Sequence, residues 1–258
     1  MIRFLRADAR RLAQSRAFAL SLLGMLSLSA ALMWMQATAM DYTVPLSRVV
    51  FLPLSFYGVA MSAFAAVFVG SDFSDGCIRN KLIAADARGE VFFSHALTCC
   101  MACVIAYSVT ALFTLGVGSF FFENNVSAGA FAAHFALGLG MAVSVGCLFC
   151  TIALLCADRT RAILWCVGIA VAMLFLCLHT NQVLVQTEMK DGLPNPHYVG
   201  GFRRAVYGVL HDLNPCGQAA QLSSWRVWYP LRAAACDMIW ITVVPALGCA
   251  AFSRKDIR

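Results

Sequence analysis

Asp72, Asp75, Asp86 and Glu90 alternate with Arg79, Lys81 and Arg88 within "SDFSDGCIRNKLIAADARGE", residues 71–90. Carboxylates and amines at this density can pair, cap helices and dock a charged partner. They do not form a catalytic constellation. No GxxxxGK[ST] phosphate loop, HExxH or GxSxG motif occurs anywhere in the chain, so nucleotide, zinc-protease and serine-hydrolase chemistry have no sequence support. Asp75 and Arg79 stand four apart, a spacing that supports a helix, and Ile78, Leu82 and Ala85 would give that helix one apolar face. Gly76 weakens any helix through it, so a short helix is expected to begin near Asp75 or Gly76.

Two other residues are candidates on position. Asp237 and His134 stand near the starts of apolar runs, where an ionisable group lines a path or sits at a helix interface. Arg232 precedes Asp237 by five residues, close enough for a loose pair. His95 and His179 fall at the ends of runs and carry no assigned role. Ten of the twelve cysteines lie inside apolar runs, where cysteine packs as a small apolar side chain. Cys77 and Cys216 fall in the intervening segments. "CCMAC" at 99–103 lacks the spacing of a metal site, and no metal is expected.

The elements that hold these residues are read from hydropathy. Of 258 residues, 61% are hydrophobic and 12% charged, about half the charge of a soluble domain. Six runs approach or exceed the ~20 residues that cross a bilayer as a helix: about 17–39, 50–70, 95–122, 129–156, 162–180 and 233–252. None alternates with a period of two, so a barrel is not expected. The fold class is an all-α integral membrane protein with six transmembrane helices in a single domain, 1–258. Thirteen of the nineteen Lys and Arg residues fall on the side of both chain ends, which places the N- and C-termini in the cytoplasm.

Three segments flank the spans. Residues 1–16 space Ile2, Leu5, Ala9, Leu12 and Ala13 as a helix with Arg3, Arg6 and Arg10 beside them, an amphipathic interface helix. Residues 71–94 are a cytoplasmic connection between the second and third spans. Residues 181–232 form a long outer loop, too polar to span. Short helices there would lie on the outer interface, with Trp225, Trp228 and Tyr229 as belt residues, or else make a small outer cap with no membrane contact. Gly138, Ala142 and Gly146 make one face of the fourth span small enough for close helix approach.

The segment "VFVGSDFSDGCIRNKLIAADARGEVFFSHAL" (67–97) resembles the second-span exit and coupling segment of ABC-2 type transporter permeases. "LNPCGQAAQLS" (213–223) and "AFSRKDIR" (251–258) are similar to that family's last outer loop and tail. The resemblance implies a short cytoplasmic coupling helix between spans 2 and 3. By it, Asp72, Phe73, Gly76, Ile78, Arg79, Asn80, Lys81 and Leu82 contact or orient a separate ATPase. It also implies two ATPase copies that hold the ATP and Mg, a second permease subunit, identical or homologous, and a bacterial cytoplasmic membrane with its lipid. The chain itself would then be no enzyme and hold no cofactor. Its work would be export of a peptide, drug or lipid-like compound, with no nucleic-acid partner. Ser71 and Cys77 depart from the family pattern, which has a basic residue and a threonine there. Without a motor, the same shell would suit a secondary transporter or a non-transporting sensor or immunity subunit.

Overall fold

The computed structural model describes residues 2–39, 43–85, 87–190 and 193–255. Asp86 of the charged stretch and residues 256–258 of the tail motif lie outside them. Among the described residues, six helices are long and apolar enough to cross a membrane. They are α2 (Arg16–Ala39), α3 (Tyr57–Ser74), α5 (Arg88–Phe121), α6 (Ala128–Cys156), α7 (Arg159–Val185) and α10 (Pro230–Arg254). Two short 3-10 turns, Leu46–Arg48 and Leu52–Phe56, lead into α3. The remaining elements are α1 (Ile2–Ala13), α4 (Cys77–Ala84), β1 (Met189–Lys190), β2 (Leu193–Pro194), α8 (Gly201–Leu213) and α9 (Pro215–Ser223). The strands make one antiparallel hairpin, pairing Met189 with Pro194.

Local chemistry sets the boundaries. Gly76, at φ +68°, takes the left-handed conformation that glycine adopts without a Cβ penalty, and this separates α3 from α4. Ser127 caps α6 through the Ala130 amide, and Asp158 caps α7 through the Arg161 amide. Asn214 caps α9, accepting from the Cys216 amide at 3.0 Å, with Pro215 in the first turn.

The centre of the bundle is α3 and α6, each two-thirds buried over its apolar window, whereas α2 is 17% buried. Trp34, Leu20 and Leu23 of α2 are among the apolar side chains left on the outside. Small residues bring the central helices together. A Cβ on Gly70 would sit 2.9 Å from the Arg159 Cα, and one on Gly146 would sit 2.9 Å from the Cys100 Cα. The first contact sets the start of α7 beside the end of α3, so the two run antiparallel. Arg88, opening α5, donates to the Lys255 carbonyl beyond α10. Asp8 of α1 accepts from Ser94 near the same end of α5, so the chain's two described ends share one end of the bundle.

The segment 181–232 differs from expectation in one respect. Its helices exist, but α9 does not lie on an interface. It packs among α3, α6, α7, α8 and the second 3-10 turn, with Cys216, Gly217, Gln218, Ala219, Gln221 and Leu222 all buried. Cys216 is thus a core helical residue, its thiol pushed up to about 12 by burial. The reason is polar satisfaction: a helix this rich in glutamine enters an apolar bundle only where partners await its amides. Trp225 is half-buried and stacks on His134 with ring centroids 4.3 Å apart, whereas Trp228 and Tyr229 are exposed.

Candidate functional site

The densest buried chemistry lies at the end of the bundle that holds both described chain ends. Asp8 of α1 and Asp72 of α3 are each 1% exposed. Lys81 of α4 reaches between them, its Nζ 2.6 Å from Asp8 Oδ1 and 2.8 Å from Asp72 Oδ2. Arg11 of α1 pairs with the other Asp72 oxygen, donates to Ser71 Oγ at 2.7 Å and lies over the Phe68 ring. Ser94 of α5 donates to Asp8 Oδ2 at 2.7 Å. His95, fully buried, donates from Nδ1 to the Val91 carbonyl at 2.8 Å, which turns Nε2 toward Asp72 Oδ2 at 2.6 Å.

Four elements thus meet in one network of two carboxylates, two fixed cations and an imidazole. Charges this deep persist only when paired and hydrogen-bonded. Asp8, Asp72 and His95 present ligand atoms close enough to converge on a metal ion. The cation that sits among them is the protein's own: Lys81 Nζ touches both carboxylates and lies 3.3 Å from His95 Nε2. The ammonium donates to both carboxylates, and His95 Nε2 donates to the same Asp72 oxygen beside it. In this structure Lys81 takes up the point on which these ligand atoms converge.

The expected contact residues divide between two elements and two faces. Asp72 and Phe73 belong to the last turn of α3, and Gly76 is the break. Asp75 lies in that turn, accepting from Ser74 Oγ at 3.2 Å, and not in a helix with Arg79. The short helix starts at Cys77. Ile78 is 1% exposed and packs into this chain's own core, with Lys81 and Leu82 half-buried on the same side. Arg79 and Asn80 point out, joined by Ile83 at 84% exposure. Ile78 is therefore no free apolar knob, because spacings of three and four set it with Lys81 and Leu82 on the inward face.

Asp237 is 2% exposed between α10 and α6, accepting from Ser144 Oγ at 3.0 Å. Gly140 makes room for it, since a Cβ there would lie 2.6 Å from Asp237 Oδ2. Arg232, five residues before it, is paired elsewhere, with Asp212 of α8, which is fully buried and also accepts from Gln221 Nε2 at 2.6 Å. A five-residue separation turns two helical side chains to different faces, which is why α8 and not α10 supplies the partner. His134 Nδ1 donates to the Ala130 carbonyl at 2.9 Å, and its ring packs against Trp225 and Phe51. His211 beside Asp212 is buried, bonded through Nδ1 to Thr180 Oγ1 at 2.8 Å. Burial pushes its imidazole below the ordinary value, opposed by the charge of Asp212.

Sequence reasoning gave no role to Asp8, Ser94 or His95 and counted Arg11 only among the basic residues of the head. A signal for the first was present: Asp8 is the sole acid of the head and lies three after Leu5 and four before Leu12, on the inward stripe.

The bundle and its hydropathy together define a multi-pass all-α membrane protein. Comparison with protein families finds none that matches the chain, and comparison with curated proteins finds none either.

Proposed function

We propose that this chain is the membrane subunit of an ABC-type transporter, driven by a separate ATPase that docks on α4. The observation that carries the proposal is the placement of α4. It is an eight-residue helix set off from α3 at Gly76 and tied through Lys81 to α1, α3 and α5, with Arg79, Asn80 and Ile83 exposed on its outer face. Force applied to that outer face would be delivered to several helices at once, which a coupling element without ATP chemistry of its own requires. Two such chains, or this one with a homologue, would enclose the path. The open faces of α2, α7 and α10 would meet lipid or the second subunit. The cargo would be a peptide, drug or lipid-like compound.

The test is purification of the full chain from its source membrane, followed by native mass measurement and ATP hydrolysis. The expected assembly holds two membrane chains and two ATPases. Arg79→Glu and Ile83→Asp should insert and fold normally yet lose ATPase association, and Asn195→Asp should retain it. A membrane chain that transports without ATP, or outer-face variants that keep full ATP-driven transport, would end the proposal.

A further inference from the structure

At the opposite end of the bundle, Leu184 of α7, Gly201, Arg204, Ala205 and Gly208 of α8, Trp228 and Tyr229 just before α10, and Arg232 in its first turn line a cleft of about 530 Å³. That volume lies within the range of small-molecule sites. Two guanidinium groups enter it, and each is anchored from behind. Arg204 donates to the Leu184 carbonyl at 2.7 Å and the Gln186 carbonyl at 3.2 Å, where α7 ends, and lies 5.0 Å from the Tyr198 ring centroid. Arg232 gives its Nε to Asp212 and lies 4.3 Å from the Tyr229 ring centroid. Its terminal amine passes over Gly208, where a Cβ would approach to 3.1 Å.

The charges do not cancel. Asp212 lies beneath the cleft and is shared by Arg232 and Gln221. Among the described residues no carboxylate pairs with Arg204. Among the described residues, then, Asp212 pairs with Arg232 while Arg204 is held by backbone carbonyls, and positive charge is in excess. The wall beside them is aromatic, with Trp228 37% and Tyr229 59% exposed. Fixed guanidinium forks recognise carboxylate and phosphate oxygens, and exposed rings accept an apolar body.

We propose that this cleft binds an anionic amphiphile, its phosphate or carboxylate held by Arg204 and Arg232 and its apolar portion against Trp228 and Tyr229. Binding there is independent of whether an ATPase docks at α4, so it is measured on the full chain alone.

The experiment is calorimetric titration of the detergent-solubilised full chain with three probes: dihexanoyl phosphatidylglycerol, dihexanoyl phosphatidylcholine and inorganic phosphate. The anionic lipid should bind, and each of the other two should bind at least about tenfold more weakly. Arg204→Gln should weaken the anionic lipid about tenfold or more. Ala205→Phe fills the cleft from an exposed wall position without removing a charge, and should weaken it similarly. Phe202→Ala, on α8 but outside the cleft, should change nothing. Should Arg204→Gln fail to fold, Ala205→Phe alone decides. Phosphatidylcholine binding as tightly as phosphatidylglycerol would overturn the proposal, as would inorganic phosphate matching the lipid. Undiminished lipid binding in Ala205→Phe would overturn it too.

Discussion

Lys81 Nζ lies 2.6 Å from Asp8 Oδ1, across 73 positions of sequence. The contact joins the short helix between two spans to the helix that opens the chain. Through Asp72 and His95 the same ammonium also meets α3 and α5. α4 therefore cannot shift without straining three other helices.

Lys81→Met should destabilise the chain by about 3–5 kcal/mol, because it leaves two buried carboxylates short of a cation. Adding Asp8→Asn should restore part of the loss, since one of those charges is then gone. Thermal unfolding in detergent of both single variants and the pair gives the coupling energy. Simple additivity would mean that Lys81 and Asp8 do not interact.

Two isoleucines five residues apart should behave oppositely. Ile78→Asp places a carboxylate at a position 1% exposed and should cost about 3 kcal/mol or more in unfolding measurements. Ile83→Asp, at 84% exposure, should leave the melting temperature unchanged. Equal effects would show that both side chains face the same environment.

Gly146→Ala should destabilise by about 1–3 kcal/mol, because its Cβ meets the backbone of Cys100 and a backbone cannot rotate aside. Gly24→Ala, with no atom within 4 Å of the added methyl, should be neutral or stabilising by up to about 1 kcal/mol through helix propensity. Melting curves of the two variants separate close helix packing from glycine content alone.

His211 predicts a pH dependence with a definite sign. Its folded-state value is lowered by burial from an ordinary value near 6.5. As pH falls through 6.5 the unfolded chain takes up a proton that the folded chain resists. The His211 contribution to stability is therefore complete above about pH 6.5 and is lost progressively below it. His211→Gln should flatten the fall in melting temperature between pH 7 and pH 5. An unchanged slope would assign it to other groups.

Sidedness can be read with a native probe. Cys77 is the one exposed cysteine among twelve. With a membrane-impermeant maleimide on intact cells, Cys77 should stay unlabelled, and a cysteine at Asn195 should react. Labelling at Cys77 from outside would invert the topology and remove α4 from reach of any cytoplasmic ATPase.

Sequence by itself determined the six spans, the helical head and the short helix after Gly76. Long apolar runs allow few arrangements in a bilayer, and a glycine followed by a helical pattern is a local signal. It also supplied the tight fourth-span face, since small residues four apart are visible without coordinates. Only the tertiary structure decided which side chains meet. Lys81 read as one charge in a docking stretch, yet it turns inward to Asp8 and Asp72 because its spacing from Ile78 sets it on the buried face. Arg232 stood near Asp237 in sequence but finds Asp212, contributed by another helix. The segment holding α9 read as too polar to span, yet the bundle holds α9 because Gln218 donates to the Asp212 carbonyl and Gln221 to its carboxylate. Hydropathy reports the mean solvent preference of a segment, whereas a buried polar group is decided by its individual partners, which long-range packing brings together.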